Sequence, residues 1–156
     1  MAMLRVTLAA THLIALGLGL GAVVTRGNAL REPVSTNSLR RALRADGAWG
    51  LAAALWLATG LWRLLGETEK ATGYYLHNSL FITKMLLFVA VLALEIWPMV
   101  MLIKWRRALQ RSNLMQHIVA PATARRIASI SYIEALLIVL MVLAASAMAR
   151  GFGASS

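Results

Sequence analysis

The sequence has no cysteine, few acidic residues and few aromatic residues. Its 156 residues include no Cys, 6 Asp and Glu, and only 7% Phe, Trp and Tyr. Without Cys, a disulfide scaffold and any site that needs a thiolate are excluded. No phosphate-binding loop, dinucleotide fingerprint or zinc-protease motif is present. The few aromatic residues are not interleaved with basic ones as base stacking requires, so the sequence predicts no nucleic-acid partner.

Apolar residues dominate what is present. They make up 60% of the chain, against roughly 45–50% in a soluble domain, whereas charged residues make up 14%, against about 25%. These proportions argue strongly against a soluble domain. The 16 Lys and Arg give a net charge of +10. Together with this hydrophobicity, that charge indicates a membrane protein with basic loops.

Four apolar stretches are long enough to cross a bilayer, which takes about 20 helical residues. They cover about 4–24, 47–65, 80–103 and 127–149. The first is too long for a signal-peptide core of roughly 7–15 residues, so we interpret it as retained. The predicted fold is an all-α, integral membrane, antiparallel four-helix bundle that forms one transmembrane domain over residues 1–156.

The charges of the loops predict the orientation. Residues 25–45 carry five Arg against Glu32, residues 104–126 carry six basic residues and no acid, and residues 63–78 are balanced. Because short basic loops stay in the cytoplasm, both termini are predicted to lie on the non-cytoplasmic side. The predicted location of the protein is a bacterial inner membrane. A short surface helix is predicted from about Pro121, because Pro favours the first helical position.

Ionisable residues within the spans are costly and are functional candidates by default. They are His12 in the first span, Lys84 and Glu95 in the third, and Glu134 in the fourth. Along the third span, His77, Lys84 and Glu95 are seven and eleven residues apart. These offsets return to within about 20° on a helix, so the three residues should form one inward stripe.

Small residues accompany several of these positions. Ala15 and Gly19 share the face of His12 and would leave room for a flat ligand. The face of Asp46 holds Gly50, Ala53 and Gly60, and the face of Glu134 holds Ser131, Met141 and Ala145.

Depth divides the candidates into two groups. His12, Lys84 and Met141 should meet in the outer half of the bundle, and Glu95 and Glu134 in the inner half, at a rise of about 1.5 Å per residue. Two close carboxyls in a low dielectric should not both be ionised. One is therefore expected to be protonated, or a basic group such as Arg44 to compensate.

Several short motifs carry a resemblance. They are the run from Tyr74 to Lys84, Thr11-His12, the residues Arg-Ala-Asp-Gly at 44–47, Ala-Thr-Gly at 58–60 and Lys-Trp-Arg-Arg at 104–107. The chain resembles an uncharacterised family of predicted bacterial four-span membrane proteins over nearly its whole length.

A more distant likeness is to the haem-dependent membrane protoporphyrinogen oxidases and to the copper-resistance D-type membrane proteins. His12 and Lys84 match the first-span His and the early-span Lys of those oxidases, and both positions are associated with b-type haem. The oxidase pattern also places a His two residues before the Lys, where this chain has Ile82, and a second His near Glu95.

The leading hypothesis is a haem b membrane oxidoreductase that resembles these oxidases, with quinone or porphyrin as partner. His12 would ligate iron, with Lys84, Met141 and His77 as further cofactor-binding candidates. Lys84, Glu95 and Glu134 would be the catalytic groups, the two Glu forming a proton path. The alternatives are a transport protein for copper or protons, and a structural or accessory subunit. A homo-oligomer is compatible with the small-residue faces.

Overall fold

The computed structural model describes residues 2–65, 78–111 and 119–152, and these form four long helices. The helices are α1 (Ala2–Arg31), α2 (Thr36–Leu65), α3 (Ser79–Arg111) and α4 (Pro121–Ala149). The predicted all-α bundle is confirmed. At about 1.5 Å per residue each helix is roughly 45 Å long, more than the ~30 Å hydrocarbon core of a bilayer.

The helices extend well into the predicted basic loops. Residues 25–31 continue α1 and residues 36–46 begin α2, so only residues 32–35 connect them. Pro33 stops α1, because a helix usually ends before a proline. Ser35 then caps α2, since its Oγ accepts from the Ser38 amide at 3.1 Å while the Ser38 Oγ accepts from the Ser35 amide at 2.9 Å.

The separate surface helix predicted at Pro121 is wrong. Pro121 is indeed the first helical residue, but its helix runs without a break to Ala149. No helix-breaking residue separates Pro121 from the apolar stretch that follows, so one helix includes both.

Asn78 ties the start of α3 to the C-terminal end of α4. Its Oδ1 accepts from the Leu80 amide at 3.0 Å, which caps α3, and its Nδ2 donates to the Phe152 carbonyl at 3.3 Å. Because consecutive helices run antiparallel, the start of α1 lies at this end of the bundle too, and it is called here the terminal end. The connection 32–35 and the start of α4 lie at the opposite, basic end.

The helices pack in sequential order around a narrow core. α1 packs against α2 and α4, α3 packs against α4, and α2 and α3 touch more lightly. Inward residues recur every three or four positions, as on one face of a helix. On α3 and α4 they are Val91, Pro98, Leu102, Trp105, Ala124, Ile127, Ser131, Glu134, Ile138 and Met141.

The apolar core is divided into two layers. The terminal-end layer comprises Ala15, Ala22, Val23, Trp49, Trp56, Val91, Ile138 and Met141. The basic-end layer comprises Ala29, Leu30, Leu39, Ala42, Leu43, Leu102, Trp105, Val119, Ala124, Ile127 and Ala128. The polar side chains described below lie between them.

Within the described ranges, three helices are long and apolar enough to cross a membrane: α1 from Met3, α3 and α4. α2 does not reach that hydropathy, because its first half is basic and its second half is rich in Gly, Ala and Trp. It nevertheless lies antiparallel to α1 over most of its apolar half. Asp46 contacts Arg26 at one end of this stretch, and Thr59 contacts His12 at the other. A membrane that contains α1 at these levels therefore contains α2 as well.

Candidate functional site

The centre of the bundle is a buried guanidinium surrounded by three carboxyl groups. Arg26 of α1 is 0% exposed, and it lies between Asp46 of α2, Glu95 of α3 and Glu134 of α4. We call these four residues the charge cluster. Each helix contributes one member, so the cluster joins all four helices at one level.

All five N–H donors of Arg26 are used. Nη1 donates to Glu95 Oε1 at 2.7 Å and to Asp46 Oδ1 at 3.1 Å. Nη2 donates to Glu95 Oε2 at 2.8 Å and to Glu134 Oε2 at 2.6 Å. Nε donates to Ser131 Oγ at 2.9 Å. The planar fork of Arg is suited to such a site, because it binds one carboxylate in a bidentate manner and has donors left for others.

Glu95 and Glu134 come together in the structure, because both accept a hydrogen bond from Nη2 of Arg26. The structure also places the compensating base differently from the sequence expectation: Arg44 is exposed, and Arg26 takes that role. The sequence predicts that Arg26 is a loop residue, because the apolar run of the first span ends at Val24. The signal for its burial is the spacing of the inward face, since Ala15, Gly19 and Ala22 lead by alternating steps of four and three to position 26.

The cluster holds one more carboxyl than its cations balance. Arg106 Nη2 lies 3.7 Å from Asp46 Oδ2 at the edge of the cluster. Arg26 and Arg106 thus supply two positive charges against three carboxyl groups. Glu134 is fully buried, and its Oε1 has no hydrogen-bond partner among the residues that the structure describes.

The predicted inward faces are partly right. Ser131 and Met141 are buried on the face of Glu134, and Val91 is buried on the stripe of Glu95. On α2 the prediction is wrong for Gly50, which is exposed with open space beside it. The buried face of α2 instead holds Ala45, Trp49, Ala52, Trp56 and Thr59. Gly50 lies on the other side of the helix.

His12 is half-buried and oriented by α2. Its Nδ1 lies 2.9 Å from Thr59 Oγ1, while the Thr59 hydroxyl is 2.7 Å from the Leu55 carbonyl. The Thr59 hydroxyl therefore holds the imidazole through Nδ1, and the tautomer of His12 determines which of the two groups donates. Its Cε1 packs against Gly60, where an added Cβ would lie at 3.2 Å.

The space expected for a porphyrin beside His12 is filled by α2. An added Cβ on Gly19 would meet the Trp49 ring at 3.0 Å, and Ala15 is 2% exposed. The cavity next to these residues has a volume of about 10 Å³, room for about one water, whereas ligand pockets hold roughly 300–1,000 Å³. The small residues therefore serve helix packing, and a haem does not fit between α1 and α2 as they are packed.

The remaining candidates are spread over the terminal end. Met141 is 1% exposed in the terminal-end layer, and Lys84 is half-buried on α3. Trp56 lies between His12 and α3, with its ring centroid 5.7 Å from His12 and 5.6 Å from Phe88. His77 lies outside the described residues. Across the described ranges, no three His, Asp or Glu side chains converge as ligands for a metal ion.

The apolar helices and the buried charge cluster define a helical integral membrane protein. The family model for a predicted membrane protein, DUF2214, matches residues 4–153, so the chain belongs to that family. No curated protein and no solved structure matches the chain.

Proposed function

We propose that this protein is a proton-coupled membrane protein whose charge cluster takes up and releases one proton. The observation that carries the proposal is the gathering of three carboxyl groups on one fully buried guanidinium. Ionisable groups in a membrane bundle are rare, and proton relays are among the functions that retain them.

The proposal follows from the balance of charge. With all carboxyls ionised, Asp46, Glu95 and Glu134 outnumber Arg26 and Arg106 by one negative charge. A single proton restores neutrality, and its loss or gain changes the charge of the cluster by one. An uncompensated charge in a low dielectric is costly. Whether a carboxyl of the cluster is protonated should therefore depend on the packing and charges around it.

A purely structural ion pair requires only one carboxylate for each guanidinium. Arg26 already has a bidentate partner in Glu95, and every further buried carboxylate adds a desolvation cost. The excess carboxyl therefore favours a proton-binding site over the structural or accessory role, which remains the outcome if no proton is bound.

Infrared spectroscopy of the purified full chain in lipid vesicles tests the proposal. At neutral pH, the wild type should show a carbonyl stretch of a protonated carboxyl that shifts in D₂O. Glu134→Gln and Glu95→Gln should each abolish it, because the two remaining carboxylates then balance the two guanidiniums. Glu32→Gln is the matched control, since Glu32 is exposed and paired with Arg41, and should leave the band unchanged. A wild-type spectrum without this band refutes the proposal.

The second candidate is the haem b oxidoreductase, which the orientation of His12 favours. Ligating histidines usually hydrogen-bond a polar partner through their other ring nitrogen, and His12 Nδ1 lies 2.9 Å from Thr59 Oγ1. Haem binding would require a position other than the filled space between α1 and α2. Visible absorption spectroscopy of protein made in haem-replete cells decides: a Soret band that His12→Ala removes supports haem, and a colourless folded wild type argues against it.

A further inference from the structure

The four side chains of the charge cluster differ in how much of their surface is exposed. The side chains of Asp46 and Glu95 keep 13% and 16% exposure, whereas Arg26 and Glu134 have none. Asp46 and Glu95 belong to α2 and α3, the neighbouring helices that pack most lightly. Water that reaches the carboxyls should therefore enter along the seam between α2 and α3.

Towards the terminal end this seam is closed by apolar side chains. Trp56 of α2 meets Phe88 of α3 edge to face, with 5.6 Å between the ring centroids. Behind them, Trp49, Val91 and Met141 of the terminal-end layer are buried. Buried apolar side chains at this level give a chain of water molecules few polar partners, which disfavours proton transfer from this side.

Towards the basic end the seam is closed by a polar contact. Arg106 of α3 donates from Nη2 to the Leu43 carbonyl of α2 at 2.9 Å, and the same nitrogen lies 3.7 Å from Asp46 Oδ2. Its side chain is 47% exposed. Gly47 lies beside it, and a Cβ added there would be in ordinary van der Waals contact with Nη2, at 3.8 Å. A half-exposed Arg side chain can leave this position at the cost of one hydrogen bond and a loose ion pair.

We propose that the cluster exchanges its proton only with the basic end, through Asp46, and that Arg106 is the positioning residue that controls this exchange. The inference rests on the proposed function. When Arg106 moves towards solvent, a hydronium ion can transfer its proton to the Asp46 carboxylate, which becomes neutral and leaves a water molecule. Glu95 shares Nη1 with Asp46 and shares Nη2 with Glu134, which gives the order of the carriers.

The first experiment measures how fast the protonated-carboxyl band exchanges after transfer of the full chain to D₂O. Arg106→Ala removes the contact and one of the two balancing cations. The band should therefore grow as a second carboxyl is protonated, and its exchange should become about tenfold faster, as expected for losing one hydrogen bond from a charged group. Arg106→Lys keeps a cation and should show a smaller increase. Arg107→Ala is the matched control, because it removes the same charge from the adjacent exposed position, and should exchange like the wild type.

The second experiment applies a pH jump to one face of sealed proteoliposomes in which the protein has a single, known orientation. The amplitude of the band should follow the pH on the side of the basic end. The inference is overturned if Arg106→Ala exchanges at the wild-type rate. It is also overturned if the band responds to the pH at the terminal end. In both cases the band itself still supports the proposed function. A wild type without the band overturns both.

Discussion

At the scale of single residues, Arg26 determines the centre of the bundle. Removing a buried guanidinium would leave three carboxyl groups facing one another in a low dielectric. Lys cannot replace it fully, because an ammonium group has three donors and lacks the planar fork that holds Glu95 at both oxygens. The charge of Arg26 and its geometry therefore matter separately.

Arg26→Met should destabilise the fold by about 3–5 kcal/mol, because breaking a buried pair leaves uncompensated charge. Arg26→Lys should lie between Met and the wild type. Reversible unfolding in mixed detergent micelles measures both. Arg40→Gln, on the exposed face of α2, should have little effect. Equal effects of Arg26→Met and Arg40→Gln would show that the cluster contributes nothing to stability.

Ser131 allows a finer test of the same centre. It accepts from Arg26 Nε and donates to the Ile127 carbonyl, so Ser131→Ala leaves a buried donor without its acceptor. We expect a loss of about 1–3 kcal/mol. Ser129 is the matched control on the same helix, since its hydroxyl also bonds to a carbonyl four residues earlier but is exposed. If Ser129→Ala costs as much in the same unfolding assay, the Arg26 bond is not responsible.

At the scale of elements, α1 and α2 form the most extensive helix–helix contact of the described chain. Gly19 allows Trp49 to lie against the backbone of α1, and Gly60 allows His12 to lie against α2. Close approach at both positions fixes the register in which Asp46 reaches Arg26. The α1–α2 interface therefore positions half of the charge cluster.

Gly19→Ala and Gly17→Ala separate this packing from helix propensity. Ala favours a helix over Gly by about 0.5–1 kcal/mol, and Gly17 has open space around it, so Gly17→Ala should be neutral or stabilising. Gly19→Ala would place a Cβ 3.0 Å from the Trp49 ring, and overpacking typically costs about 1–3 kcal/mol. The unfolding free energies of the two variants should differ by more than the propensity gain. Identical values would mean that Trp49 moves aside without cost.

At the scale of the whole molecule, the antiparallel helices place the start of α1 and the end of α4 together and most of the exposed basic residues at the other end. Exposed cations at that end belong to all four helices; they are Arg31, Arg40, Arg41, Arg44, Lys104, Arg106, Arg107, Arg111, Arg125 and Arg126. Such an excess at one end favours a cytoplasmic location for it. The orientation in the membrane thus stays a prediction with a direct test.

Cysteine labelling can test it without interference, because the chain has no native Cys. Thr72→Cys, in the connection between α2 and α3, should react with an impermeant reagent from outside intact cells. Ser112→Cys, between α3 and α4, should react only after the membrane is opened. The reverse pattern would invert the orientation and, with it, the side from which the cluster exchanges protons.

The sequence alone determined the helical membrane fold, because four apolar stretches of bilayer length admit few other structures. It also selected Glu95 and Glu134, since carboxyls within apolar spans are conspicuous. Only the tertiary structure decided that Arg26 joins them. In the sequence it follows the apolar run of α1 and precedes further Arg residues, as a loop charge would. Its burial depends on α2 continuing alongside α1 and on the facing carboxyls of three other helices, and no local pattern records those distances.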